Sequence, residues 1–312
     1  MISAQDILAA HALIKPYIHQ TPVLQSSSLN DLAGCEVFFK CENFQKIGAF
    51  KARGGFNAVL SLTREQQLRG ITTHSSGNHA QAIALAAKMV GVPAYIVMPS
   101  NAPIIKKQGV TALGGEIILC EPTLQAREDT VQQVIAKTGA TFVHPFDNDA
   151  VIAGQATAAV ELLNEIKHLN AILTPVGGGG LLSGTALAAH YFAENTKVIA
   201  GEPEGAADAV LSFKSGKVEK APFINTIADG LLTNLSERTL AIILAHVAAI
   251  ELVSEQEIID AMQLIYERLK IVIEPSCAVP FAVLLKHKAQ FQGQRVGIIL
   301  TGGNVDLSKL PF

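Results

Sequence analysis

The chain has 312 residues, of which 49% are hydrophobic and only 16% are charged, and 24 basic and 27 acidic side chains give a net charge of −3. This composition excludes a disordered chain, and the lack of a basic excess excludes a polycationic nucleic-acid or membrane-surface binder. No run approaches the roughly 18 apolar residues of a membrane-spanning helix. The high apolar content favours a homo-oligomer, most simply a homodimer. The cysteines include no CxxC pair, which predicts buried, reduced thiols in a cytoplasmic protein.

Short runs rich in Val, Ile and Leu alternate along the chain with longer segments of helical periodicity. Strands are predicted over 37–40, 70–75, 93–98, 116–120, 140–143, 171–176, 197–200 and 295–300. Helices are predicted over 50–62, 78–90, 123–138, 151–166, 181–192, 237–247 and 255–269. This alternation indicates parallel sheets with right-handed crossovers, and the uneven spacing argues against an eightfold barrel. We therefore expect two doubly wound open-sheet α/β domains, a large one from residues 1–69 plus 148–312 and a small one from 70–147.

Four consecutive glycines, Gly177 to Gly180, follow the predicted strand 171–176 and begin a helix. Such a loop lets backbone N–H groups surround an anion at the positive end of the helix, so it predicts a phosphate site. It is not a P-loop, because no lysine precedes Thr185, and G-x-G-x-x-G does not hold, because the sixth position is Leu182. The alternative, a flexible turn without a ligand, would need one glycine rather than four.

Lys51 lies near the start of the predicted helix 50–62, between glycines and next to an aromatic ring. The helix N-terminus, nearby Arg53 and partial burial would all lower its pKa, which makes Lys51 a candidate for forming a Schiff base. The alternative is an ordinary surface lysine. A third segment, 73–81, gathers hydroxyl, amide and imidazole groups at another helix start. It suits either a bound carboxylate or an ordinary N-cap.

These three segments, followed by Leu300-Thr301-Gly302-Gly303-Asn304, occur in the order typical of fold-type II pyridoxal-phosphate enzymes. The chain most resembles the serine/threonine dehydratase and serine racemase group of that family. The resemblance extends from Thr21 to Asn304. It implies two open-sheet domains of the tryptophan-synthase-β kind and pyridoxal 5'-phosphate (PLP) as the cofactor.

The resemblance also assigns residues to the cofactor. Those implied to contact it are Phe50, Lys51, Asn78, Gly177, Gly178, Gly179, Gly180, Gly230 and Thr301. Lys51 would form the Schiff base, the four glycines would hold the phosphate, and Asn78 would contact the phenolic oxygen. Thr301 would face the pyridine nitrogen. Because a neutral hydroxyl leaves that nitrogen unprotonated, the resemblance implies elimination rather than transamination.

The resemblance further implies which residues bind the substrate carboxylate: Ser75, Ser76, Gly77, Asn78 and His79. Lys51 would be the base at Cα. Ser76, on the opposite face, could return a proton and give racemisation, as in serine racemases, whereas Ala80 is more typical of threonine dehydratases. Dehydration of L-threonine or L-serine to a 2-oxo acid and ammonia is therefore predicted, possibly with serine racemisation. Serine racemase as the main activity and hydroxyaspartate ammonia-lyase are the alternatives. Cysteine-synthase-type β-replacement and a non-catalytic ligand-binding protein are more remote.

An acidic segment, 202–208, follows the predicted strand 197–200. It resembles the divalent-cation site of the racemase group, with Glu202, the Ala206 carbonyl and Asp208 as ligands. Two carboxylates, one carbonyl and water would suit Mg²⁺ or another hard cation. A solvated acidic loop is the alternative interpretation.

Overall fold

The computed structural model describes residues 2–75, 77–102 and 104–312, whose strands form two sheets. In chain order the strands are β1 (Val23–Leu24), β2 (Glu36–Cys41), β3 (Ile71–His74), β4 (Ala94–Pro99), β5 (Glu116–Cys120), β6 (Thr141–Phe142), β7 (Ala171–Pro175), β8 (Lys197–Pro203), β9 (Ala249–Val253) and β10 (Arg295–Leu300). The larger sheet has the order β1-β2-β10-β7-β8-β9 and the smaller one β5-β4-β3-β6. All pairings between strands are parallel except that of β1 with β2.

Helices cover both faces of each sheet, as the near-continuous apolar strands require. In chain order they are α1 (Ala4–Ile14), α2 (Ser27–Ala33), α3 (Lys51–Leu60), α4 (Arg64–Leu68), α5 (Asn78–Val90), α6 (Ile104–Ala112), α7 (Leu124–Thr138), α8 (Asp149–Glu165), α9 (Gly180–Phe192), α10 (Asp208–Ser215), α11 (Glu237–His246), α12 (Glu255–Leu269) and α13 (Pro275–Lys286). Separate apolar clusters fill the two sides of the larger sheet. The predicted α/β class with two open sheets is confirmed.

The four strands of the smaller sheet all lie between residues 71 and 142. Helix α3 packs against α5, which covers this sheet, and also against α8, which covers the larger one. The apolar cluster of the smaller sheet accordingly includes Ala52 and Phe56 from α3. Because α3 packs against helices of both sheets, no clear break separates the two cores. The domain limits at 70 and 147 therefore stay a prediction.

The sequence patterns miss some elements and find others closely. Strand β9, at the edge of the larger sheet, is not predicted, although β5 has the same length of five residues, lies at the edge of the smaller sheet and is predicted over its full range. Strand β1 is also missed, because its two residues are too few to show periodicity. Helix α1 is also missed, although Ser3 and Asp6 form a capping box that marks its start. The cysteines are free and buried, as predicted. Within the described residues no helix has the length and apolar character needed to cross a membrane.

A buried ion network lies beneath the start of α3. The Arg53 side chain is fully buried and binds the carboxylates of Glu42 (Nε to Oε2, 2.6 Å) and Glu161 (one terminal nitrogen to Oε2, 2.7 Å). Lys40 donates to Glu161 at 2.6 Å. These four residues join β2, the segment after it, α3 and α8. The network therefore fixes α3 against the larger sheet, two residues after Lys51.

Because β2, β10, β7 and β8 are parallel, their carboxyl ends meet at one edge of the larger sheet. The segments that follow three of these strands contain Lys51, the glycine loop and Thr301. This edge is where open parallel sheets bind their ligands.

Candidate active site

Lys51 is the first residue of α3, and its half-buried side chain points toward the segment after β6. Its Nζ donates a hydrogen bond to the carbonyl oxygen of Pro145 (2.9 Å) and lies 5.2 Å from the centre of the Phe50 ring. Burial lowers the pKa of Lys51 to about 8, although the nearby charge of Glu274 opposes this. The lowering does not come from Arg53 as predicted, because the guanidinium of Arg53 is paired with two carboxylates.

The tetraglycine loop joins β7 to α9 and is shaped by close contacts. Gly179 has a φ of +85°, which is the left-handed region that favours glycine, and is the N-cap residue of α9. A methyl group on Gly179 would lie 2.8 Å from the Thr239 side chain, and one on Gly178 would overlap the ring of Phe146. The first backbone N–H groups of α9 have no partner within the helix. The loop thus directs the start of α9 at the end of β7, and its role as a phosphate site stays a prediction.

Phe146 connects the loop to the lysine. Its ring is packed against Gly178, and the preceding residue, Pro145, accepts the hydrogen bond from Lys51. Gly230 lies next to Gly177, since a methyl group on Gly177 would be 3.3 Å from the Gly230 carbonyl oxygen. The structure therefore brings the lysine, the glycine loop and Gly230 together.

Thr301 follows β10 directly and is joined through its backbone to the residue before Lys51. Its backbone oxygen accepts a hydrogen bond from the N–H of Phe50 (2.9 Å). The side chain is buried, and among the described residues Oγ1 has no hydrogen-bond partner stronger than the neighbouring Cys277 thiol. A buried hydroxyl without a strong partner is unusual in proteins and is expected where a ligand supplies the missing group.

The predicted substrate loop lies between β3 and α5, and Ser76 falls outside the described residues. The Ser75 hydroxyl accepts a hydrogen bond from the N–H of Gly77 (3.3 Å). The imidazole of His79 is buried, with Nε2 3.3 Å from the Val143 oxygen, and burial together with the charge of Lys51 holds its pKa well below the usual value. His79 is therefore neutral, and a substrate carboxylate would interact with backbone N–H groups at the start of α5 rather than with this ring.

Asn78, the first residue of α5, is held at both ends of its side-chain amide. Its Nδ2 donates to the two carboxylate oxygens of Glu274 (3.1 and 3.2 Å), and its Oδ1 accepts from Asn304 Nδ2 (2.8 Å). Burial raises the pKa of Glu274 to about 7. This contact has little signature in the sequence, since Glu274 before Pro275 is equally typical of a helix start.

Arg127 on α7 is a charged residue of this region that the sequence patterns do not single out. Burial is the main cause of the lowered pKa of His74, the last residue of β3, and the positive charge of Arg127 lowers it further. Arg127 Nε is buried and has no hydrogen-bond partner among the described residues. Arg127 is half-buried, and its Nε is a donor without a described partner near the end of the strand that leads into Ser75. Only the packing of α7 on the smaller sheet brings Arg127 near His74, and no local motif marks it.

The acidic segment 202–208 begins inside β8, which extends to Pro203 rather than ending at residue 200 as predicted, and it turns inward. Both oxygens of Glu202 accept backbone N–H groups at the start of α10, from Ala209 (2.6 Å) and Val210 (2.9 Å). Burial raises the pKa of Glu202 to about 8 and that of Asp208 to about 7, and Asp208 Oδ2 has no partner among the described residues. In the described part of the chain no three His, Cys, Asp or Glu side chains form a metal-binding group. The carboxylates suit a hard cation only together with the Ala206 carbonyl and water.

Comparison with known proteins agrees with this geometry. The family model described as pyridoxal-phosphate dependent enzyme matches residues 14–302. The chain belongs to this family.

Three relatives show where the chain falls within the family. It is 50% identical to a β-hydroxyaspartate dehydratase of Paracoccus denitrificans (strain Pd 1222) over 308 residues, covering 99% of this chain and 98% of that protein. It is 48% identical to a serine racemase of Dictyostelium discoideum, covering 99% and 97%, and the crystal structure of that enzyme superposes with a TM-score of 0.94 over 98% and 99% of the chains. The threonine deaminase isoform 2 of Solanum lycopersicum, in its processed form, has 34% identity and a TM-score of 0.92, covering 98% and 85%. The chain is thus a fold-type II PLP enzyme of the serine racemase and dehydratase group.

The residues present fit PLP. The glycine loop offers backbone N–H groups for a phosphate, Thr301 offers a buried hydroxyl without a strong partner for a ring nitrogen, and Lys51 offers an amine of lowered pKa for an aldehyde. The individual residue roles predicted from the sequence stay predictions. The predicted cofactor and substrate residues that the structure describes lie in two places. They are at the edge formed by the carboxyl ends of β2, β7 and β10, or at the start of α5.

Proposed function

We propose that this chain is a PLP-dependent ammonia-lyase, which eliminates water from a β-hydroxy amino acid and releases an aminoacrylate. The released aminoacrylate takes up water again to give a 2-oxo acid and ammonia, so that the net loss is ammonia alone. PLP, when bound, stabilises negative charge at the substrate Cα. The observation that carries the proposal is the position of the Lys51 amine, half-buried and of lowered pKa, between the glycine loop and the start of α5. A pure ligand-binding protein would not require such an amine.

In this proposal the chain's own residues bind the substrate carboxylate, accept the Cα proton and control the charge on the ring nitrogen. The N-terminus of α5 holds the substrate carboxylate, which directs the Cα proton toward Lys51. With a pKa of about 8, the lysine can accept this proton near neutral pH. His79 stays neutral beside it and neither repels the amine nor competes for the proton. The buried Thr301 hydroxyl keeps a ring nitrogen uncharged, which favours elimination.

Arg127 supports a more specific substrate, a 3-hydroxyaspartate. A guanidinium with one buried nitrogen that lacks a described partner, near His74 and hence near the strand end that leads into the substrate loop, would bind a second carboxylate, which serine and threonine lack. The P. denitrificans relative is named for a substrate of this type. We therefore propose that a 3-hydroxyaspartate is preferred to L-serine and L-threonine, which remain the alternative substrates.

The test is a product assay with 3-hydroxyaspartate stereoisomers, L-serine and L-threonine on wild type and Arg127→Met. Loss of a charge-assisted hydrogen bond is worth about 1.5–3 kcal/mol, so kcat/KM for hydroxyaspartate should fall about ten- to hundredfold while that for serine changes little. Lys137→Met removes a positive charge from an exposed position on the same helix and is the control. An equal loss for all three substrates would contradict the assignment.

Serine racemisation is the second candidate activity, supported by the 48% identity to the D. discoideum serine racemase. Ser76, in the loop before α5, is the proposed acid on the face opposite Lys51. Ser76→Ala should abolish racemisation and largely keep dehydration, as measured by chiral chromatography and 2-oxo acid release. Equal loss of both would refute separate roles for Ser76 and Lys51.

We also propose that Glu202, the Ala206 carbonyl and Asp208 bind Mg²⁺ or another divalent cation. The proposal rests on the buried, unpartnered oxygen of Asp208 next to a second buried carboxylate. Two adjacent acidic groups in a buried place are stabilised by a cation, which also removes their mutual repulsion.

A further inference from the structure

A chain of hydrogen bonds connects the turn before Lys51 to Glu274. The Nδ2 group of Asn304 donates to the carbonyl oxygen of Ile47 (2.8 Å) and to Oδ1 of Asn78 (2.8 Å). Asn78 Nδ2 donates in turn to the Glu274 carboxylate (3.1 and 3.2 Å). Three segments that are far apart in sequence therefore meet at one amide.

The ends of this chain determine the direction of every bond in it. A backbone carbonyl can only accept, so Asn304 must present its NH₂ group to Ile47 and hence also to Asn78. Asn78 must then present its oxygen to Asn304 and its NH₂ group to Glu274. Both Glu274 oxygens face Asn78 Nδ2, and at least one of them accepts in either protonation state, so Glu274 favours the same orientation from the other end. The two Glu274 oxygens are almost equidistant from Asn78 Nδ2 (3.1 and 3.2 Å), which fits one amide hydrogen shared between them and leaves the other for an acceptor in the site.

The turn that supplies the carbonyl is strained. Ile47 has a φ of +59°, in the left-handed region that a β-branched residue rarely adopts, and Gly48 follows with a φ of +68°. The turn is held against the segment after β10, because the N–H of Gly303 donates to the Gly48 oxygen (2.9 Å). Backbone strain of this kind costs about 1–3 kcal/mol and is retained mainly at functional sites. Here it directs the Ile47 carbonyl at Asn304.

We infer that Asn304 and Glu274 are positioning residues that fix the Asn78 amide so that it donates, rather than accepts, a hydrogen bond at the phenolic oxygen of the cofactor. The inference rests on the proposed function, in which Lys51 holds PLP beside Asn78. A phenolic oxygen that is ionised requires a donor, and a free amide could present either end. The chain of hydrogen bonds therefore sets the orientation of the Asn78 amide before the cofactor binds.

The test exchanges Asn304 for aspartate, which has the same shape but cannot donate. A carboxylate facing the Ile47 carbonyl and Asn78 Oδ1 would repel both. It would oppose the orientation that Glu274 favours, so a smaller fraction of molecules would present the Asn78 NH₂ group to the cofactor. The dissociation constant for PLP should rise about three- to tenfold, the effect of one lost hydrogen bond. The pKa at which the visible absorption band of the bound cofactor titrates should also rise, because a donor to the phenolic oxygen favours its ionised form.

The matched control is Asn43→Asp. Asn43 also donates to a backbone carbonyl, that of Val272 (3.1 Å), and lies next to Gly303, but it does not contact Asn78. It should lower stability and leave the titration of the cofactor band unchanged. Asn304 is exposed, so its replacement should not unfold the chain, and Asn304→Ala should give a smaller shift in the same direction.

The inference is overturned if Asn304→Asp binds PLP as tightly as wild type and its band titrates at the same pH. It is also overturned if Asn43→Asp shifts the titration as much as Asn304→Asp, because the effect would then be general to the turn. If wild type itself takes up no PLP, the proposed function fails instead, so the two failures are distinguishable.

Discussion

The buried ion network beneath Lys51 allows a quantitative test of how the site is supported. Replacing Arg53 by methionine removes one of two positive charges and leaves the carboxylates of Glu42 and Glu161 buried with only Lys40 to balance them. Removing one partner of a buried ion pair costs about 3–5 kcal/mol, because the remaining charge is not solvated. At about 2–4 °C per kcal/mol for a large domain, the unfolding temperature should fall by about 6–20 °C at pH 7.

The pH dependence of this loss has a definite sign. Burial would raise the pKa of Glu161, but hydrogen bonds from His11 and Arg53 and the charges of Arg53 and Lys40 outweigh it and hold the pKa well below the ordinary value of 4.5. A carboxyl whose pKa is depressed by folding stabilises the protein above that ordinary value, and the contribution is lost as the pH falls below it. The difference between wild type and Arg53→Met should therefore be greatest near pH 7 and shrink toward pH 4.

Thermal unfolding followed by circular dichroism at pH 7, 5 and 4 would measure both effects. Arg69→Met is the control, because Arg69 pairs with Glu65 (3.5 Å) at the surface, where ion pairs contribute about 0–1 kcal/mol. A fall of less than 2 °C for Arg53→Met, near the magnitude expected for the control, would refute the reasoning. So would a difference from wild type that does not depend on pH.

Three further predictions concern the site itself. Gly179→Ala should weaken PLP binding at least about tenfold, because its methyl group meets Thr239 at 2.8 Å, whereas Gly216→Ala, also at positive φ but in open space, should only reduce stability by about 1 kcal/mol. The rate at which the unloaded enzyme takes up PLP should rise with pH through about 8, since the neutral amine of Lys51 is the nucleophile, and a rate that is flat from pH 7 to 9 would contradict the lowered pKa. Mg²⁺ should raise the unfolding temperature of wild type and not of Asp208→Asn, and equal stabilisation of both would rule out this cation site.

The sequence predicts those parts of the site that local chemistry marks. The helix predicted over 78–90 coincides with Asn78–Val90, because a glycine precedes it and Gly91 ends it. The tetraglycine loop and Lys51 are recognisable because runs of glycine at a strand end and a lysine at a helix start are uncommon patterns. Each of these signals lies within about ten residues of sequence.

What the sequence does not reveal is contact between distant segments. Glu274 reaches Asn78 only because of where the start of α13 lies on the larger sheet. Arg127 comes near His74 only because α7 packs on the smaller sheet. The predicted role of Arg53 is wrong for the same reason, since its partners Glu42 and Glu161 lie on other elements. A single sequence shows which chemical groups these residues carry, but it does not show which residues lie next to them in the fold.

Borohydride trapping tests the central claim most directly. Freshly purified protein is loaded with PLP, reduced, digested and analysed by mass spectrometry for pyridoxylated lysine. The account predicts one modified peptide, carrying the adduct at Lys51. Absence of any adduct, or an adduct at another lysine with Lys51 unmodified, would contradict it.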